Sequence, residues 1–304
     1  MDTKKEHNSH TKACDDSKPY FEDAQSIAAK KSQDMDCSCL IQCGSTLRKE
    51  DYTRWSDLDF LAIYDEQKDK RWEHDFNRSI DISILNRSKK EFLSRLDEGH
   101  PFDMMALKFG KIRKDDGFLE GLDPSEYSPT KRTIKVWIRS GLNHHSKMIN
   151  DLNYPHEFIN AAYHSFRSFS RVLILKVSDK LVESDKNIRK SLKKLDKKAA
   201  DHFWTLRKKR LDPKDIIQTE HVDLDDPEVK KIFKKVDYLG KIIMSKDDKE
   251  FLSYRRLRDL INGQDHGKII VYPKGIDSVH ISVFKDGDFK TFEFEMKIGE
   301  LSLL

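Results

Sequence analysis

The chain has 304 residues, with 57 Lys/Arg against 53 Asp/Glu, and is 37% hydrophobic and 10% aromatic. That is polar for a globular protein yet enough for a core, so low-complexity disorder is excluded for most of its length; no apolar run approaches the roughly 18 residues of a membrane span. Residues 1–130 hold 21 basic and 27 acidic side chains and residues 131–304 hold 36 and 26, an acidic first part suited to cations and a basic second part suited to polyanions.

Residues 1–18 are polar and read as a disordered tail without the apolar h-region of a secretory signal. A cytoplasmic, reducing setting with free thiols is therefore expected. Residues 20–33 read as a short amphipathic helix, and 38–42 (SCLIQ) as a buried strand running into Gly44-Ser45. Cys37, Cys39 and Cys43 crowd this stretch. Their C-x-C-x3-C spacing lacks a second ligand pair, so they read as buried strand cysteines rather than a metal site. LDFLAIY at 58–64 is a second strand, DEQKDKRWEHDFNR a charged connection, and SIDISIL at 79–85 a third strand with near-strict alternation. KKEFLSRLDEG is a helix ended by Gly99; 105–114 is expected to hold a fourth strand, closed by Asp116-Gly117.

PSEYSPT at 124–130 marks a linker, and beyond it the texture turns helical. Helices are expected over 131–150, 155–178, 185–210, 226–245 and 247–262, the last ended by Gly263. The final 37 residues return to strands (KIIVYP, VHISVFK, FKTFEFEM), with Asp286-Gly287 as a hairpin signal.

Three features carry chemistry in order: Gly44-Ser45 after a buried strand, Asp57-Leu58-Asp59 opening the next, and Asp81 among the isoleucines of the third. Residues i and i+2 of an extended chain point to one side, so Asp57 and Asp59 project together and repel unless a cation lies between them. Mg²⁺ suits such hard oxygen ligands and keeps company with phosphates. Asp81, on a neighbouring strand, would complete a cluster able to hold two ions for in-line phosphoryl displacement. Gly44 lets a phosphate approach the backbone, Ser45 supplies an N–H and a hydroxyl, and Arg48 is placed to meet polyphosphate charge.

The run GSTLRKEDYTRWSDLD resembles the signature of the nucleotidyltransferase superfamily, which includes DNA polymerase beta, poly(A) and CCA-adding enzymes, and minimal and aminoglycoside nucleotidyltransferases. Gly44, Ser45, Asp57, Asp59 and Asp81 fall on its positions, Arg48 matches a common loop arginine, and KIRKDDG is similar to the strand and turn after the third carboxylate. Lys49 departs, standing where glycine is common. The resemblance spans about residues 35–120 and implies a small mixed-sheet domain flanked by helices, placed over 19–126; with the helical bundle read over 131–263 and the β extension over 264–304, an α+β chain is expected. The resemblance further implies Mg²⁺- or Mn²⁺-dependent transfer of a nucleoside monophosphate from an NTP to a hydroxyl of a small molecule, protein or RNA, with pyrophosphate released. Asp57 and Asp59 would hold both metals, Asp81 the one at the acceptor, and Gly44, Ser45 and Arg48 the nucleotide. The alternative is a non-catalytic nucleotide- or RNA-binding module, such as the nucleotidyltransferase-like half of a toxin–antitoxin pair.

In the second half, Tyr163, Arg167 and Arg171 form a polar stripe on an apolar helix. A salt-bridged or solvated stripe is preferred over one that meets the triphosphate. Arg139 and His144 fit an R-x4-H ribonuclease spacing without supporting surroundings, and His144-His145 reads as a surface pair. Helix 185–210 sets Ile188, Leu192, Leu195, Ala199, Phe203 and Leu206 on one face and Lys190, Lys193, Lys194, Lys197 and Lys198 on another. That basic face is either a solvated surface or a track for an RNA or protein partner. The NTP, the acceptor and the oligomeric state are left open.

Overall fold

The computed structural model describes residues 17–53, 56–77, 80–150, 154–211, 226–244, 269–274, 278–285 and 288–295. Among these the chain is α+β, with eight α-helices, a five-stranded mixed sheet and a three-stranded antiparallel one. It divides into two units, Met1–Ser128 and Pro129–Leu304. The expected tail before residue 17, Cys14, the helix over 247–262 and the Asp286-Gly287 turn lie outside the described residues.

The first unit runs α1 (Ser17–Asp34), β1 (Cys39–Cys43), β2 (Leu58–Tyr64), β3 (Trp72–Asn77), β4 (Ile80–Ser88), α2 (Lys89–Asp97), α3 (Pro101–Phe109) and β5 (Lys111–Lys114). Its strand order is β3-β4-β2-β1-β5. β1 lies antiparallel to β2 and β5, β4 parallel to β2, and β3 antiparallel to β4. Alternation assigns the two faces. Leu58, Phe60 and Ala62 of β2 and Ile80, Ile82 and Ile84 of β4 form one buried cluster with Ala24 and Ala28 of α1. At about 1.5–3 kcal/mol for each large side chain removed from water, this layer holds α1 to the sheet. On the opposite face α2 packs against β4 and β2, and α3 against β1. The Ser88 hydroxyl caps α2 by accepting from the Glu91 N–H (3.1 Å), and Gly99, at φ 72°, turns the chain after it.

Two segments of the first unit differ from the sequence expectation. Within the charged connection, Trp72–Asn77 is an edge strand. Its charged and polar residues are what an edge tolerates, because only one side of the ladder is paired. The stretch 105–114 is not one strand: α3 ends at Phe109, Pro101 opens it, and only Lys111–Lys114 is extended. Pro at the first helical turn loses no hydrogen bond, and the Met104–Leu107 apolar run serves a helix as well as a strand.

The second unit contains α4 (Lys131–Asn150), α5 (Pro155–Ser178), α6 (Asp185–Leu195), α7 (Lys197–Leu211) and α8 (Pro227–Met244), then β6 (Ile269–Lys274), β7 (Ser278–Lys285) and β8 (Asp288–Glu295) as an antiparallel meander. α5 packs on α4, α6, α7 and α8, so it is the central helix. Phe158, Phe166, Phe169, Phe203 and Phe233 fill the core, and Gly141 of α4 leaves room for the Phe169 ring. The expected single helix 185–210 is two helices. Asp196 is extended (φ −152°, ψ 103°) and caps α7 by accepting from the Ala199 N–H at 2.9 Å. Its lysines therefore do not share one continuous face.

His144-His145 is not a surface pair. His145 is buried, its ring edge on Phe233 and its Nε2 3.2 Å from Asp237. His144 is half-buried, its Nδ1 2.8 Å from the Ser140 carbonyl and its ring against His164. Both positions turn inward on an amphipathic helix packed from more than one side. The Tyr163, Arg167, Arg171 stripe is bound within the unit. Asp185 accepts from the Tyr163 hydroxyl (2.6 Å) and Arg207 Nε (2.9 Å) and lies 3.2 Å from Arg167 Nε. Arg167 and Arg171 donate to the Glu183 carbonyl, and Arg171 lies over Trp137.

Candidate active site

Chain direction brings the sequence signature to one end of the sheet. β2 and β4 are parallel, so their first residues share an end; β1 runs against them, so its last residue and Gly44 reach that end too. The register pairs Cys43 with Asp59 and Asp59 with Ser83. Asp57 directly precedes the Leu58–Ile82 pair and so stands level with Asp81. Because Leu58, Ile80 and Ile82 belong to the α1 core, Asp57, Asp59 and Asp81 lie on the opposite face. Asp57 and Asp81 are exposed and Asp59 is half-buried.

Gly44 is fixed by two constraints. Its φ of 81° suits glycine, and a Cβ there would stand 2.6 Å from Asp59 Oδ2. The glycine therefore brings the backbone close against the carboxylate. A single 3-10 turn over Ser45–Leu47 follows. The Ser45 hydroxyl donates to Ser56 Oγ (2.9 Å), which also accepts from the Thr53 N–H (3.0 Å), so the turn is fastened to the residue before Asp57. Arg48 is half-buried with Nε 2.7 Å from the buried Asp51 carboxylate.

A polar network beneath this turn is absent from the sequence reading. Arg113 of β5 donates to Gln42 Oε1 (2.8 Å from Nε) and to Gln25 Oε1 (2.6 Å). Gln42 donates to Thr46 Oγ1 (3.1 Å) and Gln25 to the Thr46 carbonyl (2.5 Å). The network fixes the first residues after Gly44, and a glutamine within the apolar strand CLIQC was its one visible signal.

Charge also lies deeper on this face. Asp103 of α3 is fully buried, 2.6 Å from His100 Nδ1, 2.9 Å from Arg95 Nε and 3.3 Å from Arg87 Nε. Burial alone would raise its carboxyl, but the His100 hydrogen bond and the Arg95 and Arg87 charges hold it below the usual range. The Cys43 thiol is pushed well up, by burial first and then by the Asp59 and Asp103 charges.

Cys37, Cys39 and Cys43 are free, buried cysteines, as expected. Among the described residues, one group of three has all ligand atoms within 4.8 Å of one another: Cys39, Asp115 and Asp116. The spacing could hold a cation, and the interactions present already satisfy it. The Cys39 thiol, raised to about 12 chiefly by burial, donates to Asp115 (3.2 Å) and Asp116 (3.4 Å). Asp115 accepts from the Leu119 and Glu120 N–H groups, and the Lys89 ammonium lies 2.6 Å from Asp116. Asp57, Asp59 and Asp81 share an end and a face without closing to that spacing.

No family model and no curated protein matches the chain. Among solved structures it is similar to a nucleotidyltransferase-like protein from Exiguobacterium sibiricum 255-15, at 9% identity and a TM-score of 0.32, over 91% of this chain and 99% of that one. A likeness so slight carries no argument, and the site stands on its own residues. No described helix is long and apolar enough to cross a membrane.

Proposed function

We propose that the first unit is a metal-dependent nucleotidyltransferase. What supports the reading is one juxtaposition: three aspartates on one face at one end of the sheet, beside a glycine whose missing Cβ leaves room for the Asp59 carboxylate. The hard oxygen donors fit Mg²⁺ or Mn²⁺, with Asp57 and Asp59 holding two ions and Asp81 sharing one. The ions, when bound, would offset the triphosphate charge and favour attack at the α-phosphorus. Gly44 and Ser45 would hold the phosphates through backbone N–H groups and the Ser45 hydroxyl, and the Arg113 network keeps that turn in shape. Asp81 would orient the acceptor hydroxyl and take its proton at a carboxylate oxygen. The acceptor oxygen then bonds to the α-phosphorus, the bond to the bridging oxygen breaks, and pyrophosphate leaves.

The test is incubation of the full chain with labelled NTPs, Mg²⁺ or Mn²⁺, and a mixed pool of oligoribonucleotides, proteins and aminoglycosides. Transfer that falls at least about a hundredfold in both Asp57→Asn and Asp81→Asn supports the enzyme, since even a neighbour of a metal ligand is worth about 10–100-fold. Nucleotide binding without transfer to any acceptor makes the unit a binding module instead.

A further inference from the structure

The edge strand β3 adds a second kind of surface to the same face. Its register sets His74 opposite Ser83 and Trp72 opposite Leu85. Paired residues of an antiparallel ladder share a face, so both rings stand on the side of Asp59 and Asp81. The Trp72 side of the strand is open: the residue is 51% exposed. Its plane is parallel to the His74 ring within 7°, with centroids 6.4 Å apart. His74 is positioned by Ser83, whose hydroxyl lies 3.3 Å from its Nδ1. Ser83 is itself the ladder partner of Asp59. His74 is thus a diagonal neighbour of Asp81, about 7–8 Å away across the ladder, and Trp72 lies one further step along the strand.

We propose that Trp72 and His74 form a stacking platform for the terminal base of a single-stranded RNA acceptor. The proposal rests on the nucleotidyltransferase reading and deepens it. β3 lies beyond β4, on the far side of Asp81 from Gly44-Ser45. The nucleotide phosphates belong to the Gly44 side, so the rings belong to the acceptor side. Two parallel rings beside a phosphoryl-transfer site suit a flat π face, and a ribonucleotide carries one at a fixed short distance from its hydroxyl; a saccharide would offer the rings only C–H faces and ammonium groups. A terminal ribonucleotide presents its hydroxyl to the carboxylates while its base extends over His74 toward Trp72, whose ladder partner Leu85 is four residues beyond Asp81. Stacking of this kind tolerates any base, because every base has a π face.

The experiment uses the full chain and 5′-labelled hexaadenylate, read by anisotropy without NTP and by transfer with NTP and Mg²⁺. Trp72→Leu is expected to weaken hexaadenylate about tenfold or more in both binding and KM, with kcat little changed, and Trp72→Phe to restore most of it. A hexamer with an abasic 3′ terminus should bind wild type as weakly as hexaadenylate binds Trp72→Leu, and free AMP should bind far more weakly than the hexamer. Equal affinity for abasic and intact ends, or no change in Trp72→Leu, overturns the platform even if transfer is seen. Stacking-dependent binding with no transfer by wild type leaves the platform standing and overturns the enzyme.

Discussion

Asp185 in the helical unit and Asp81 in the sheet unit are both single carboxylates near the start of a regular element. Asp185 is buried and gathers the Tyr163 hydroxyl, Arg167 and Arg207 around itself. Asp81 is exposed at the end of a sheet, level with Asp57. Asp103, in the first turn of α3, belongs with Asp185: three basic side chains surround it. A carboxylate enclosed by its counter-charges holds helices in register and has little left to give a ligand. One left at the surface beside two others gains from a cation. Sequence shows only an Asp in each case; the surroundings decide which kind it is.

The largest effect is expected at Asp185. Asp185→Ala should lose about 3 kcal/mol in urea unfolding, because it removes the carboxylate shared by the buried Tyr163 hydroxyl and the half-buried Arg167 and Arg207 guanidinium groups. Asp81→Ala should stay within about 0.5 kcal/mol of wild type, as exposed sites do. Equal losses would erase the distinction. Gly44→Ala comes next: the positive φ and the encroachment on Asp59 should cost about 1–3 kcal/mol and abolish nucleotide binding measured by calorimetry.

Acid sharpens the contrast. Burial opposes the charge of Asp185, but Arg167, the Tyr163 hydrogen bond and Arg207 hold its carboxyl below the usual range, as their counterparts do for Asp103. A depressed folded value means stability that is present above the unfolded value near 4 and lost as pH falls through the folded one. Unfolding free energy should therefore drop below about pH 4, at up to about 1.4 kcal/mol per pH unit for each group. Asp103→Asn, weaker at pH 7, should show a shallower fall. The smallest effect is expected at the exposed lysines. Lys193→Gln and Lys194→Gln should alter stability by less than about 0.5 kcal/mol. If α6 meets a phosphate backbone, each should flatten the salt dependence of binding by about one unit of slope. Binding that ignores salt would end the polyanion reading of this surface.

Regular elements with strong periodicity were legible. β2 at 58–64, α4 at 131–150 and α5 at 155–178 match the residues read from the chain. The shared side of Asp57 and Asp59 was legible too, because strand alternation alone puts residues i and i+2 on one face; that Asp81 stands level with Asp57 depends on the pairing of β2 with β4, which the sequence does not fix. β3 was hidden because WEHDFN lacks the apolar alternation of an inner strand. The break at Asp196 was hidden because lysines continue on both sides of it, although an Asp three residues before Ala199 is an N-cap signal. The partners of Tyr163 and Arg207 could not be read at all. Asp185 lies 22 residues from each, and only packing of α5, α6 and α7 joins them.

The parallel ladder between β2 and β4 has a consequence for tolerance to insertion and deletion. The chain between these strands detours through β3, so residues added at the exposed stretch 65–70 need not disturb which rungs face each other. One residue gained or lost inside β4 is a different event. It would rotate Asp81 into the greasy layer under Ala24 and Ala28 and turn its isoleucine neighbours out to water. Folding and chemistry would fail together there, whereas lengthening the detour would spare both.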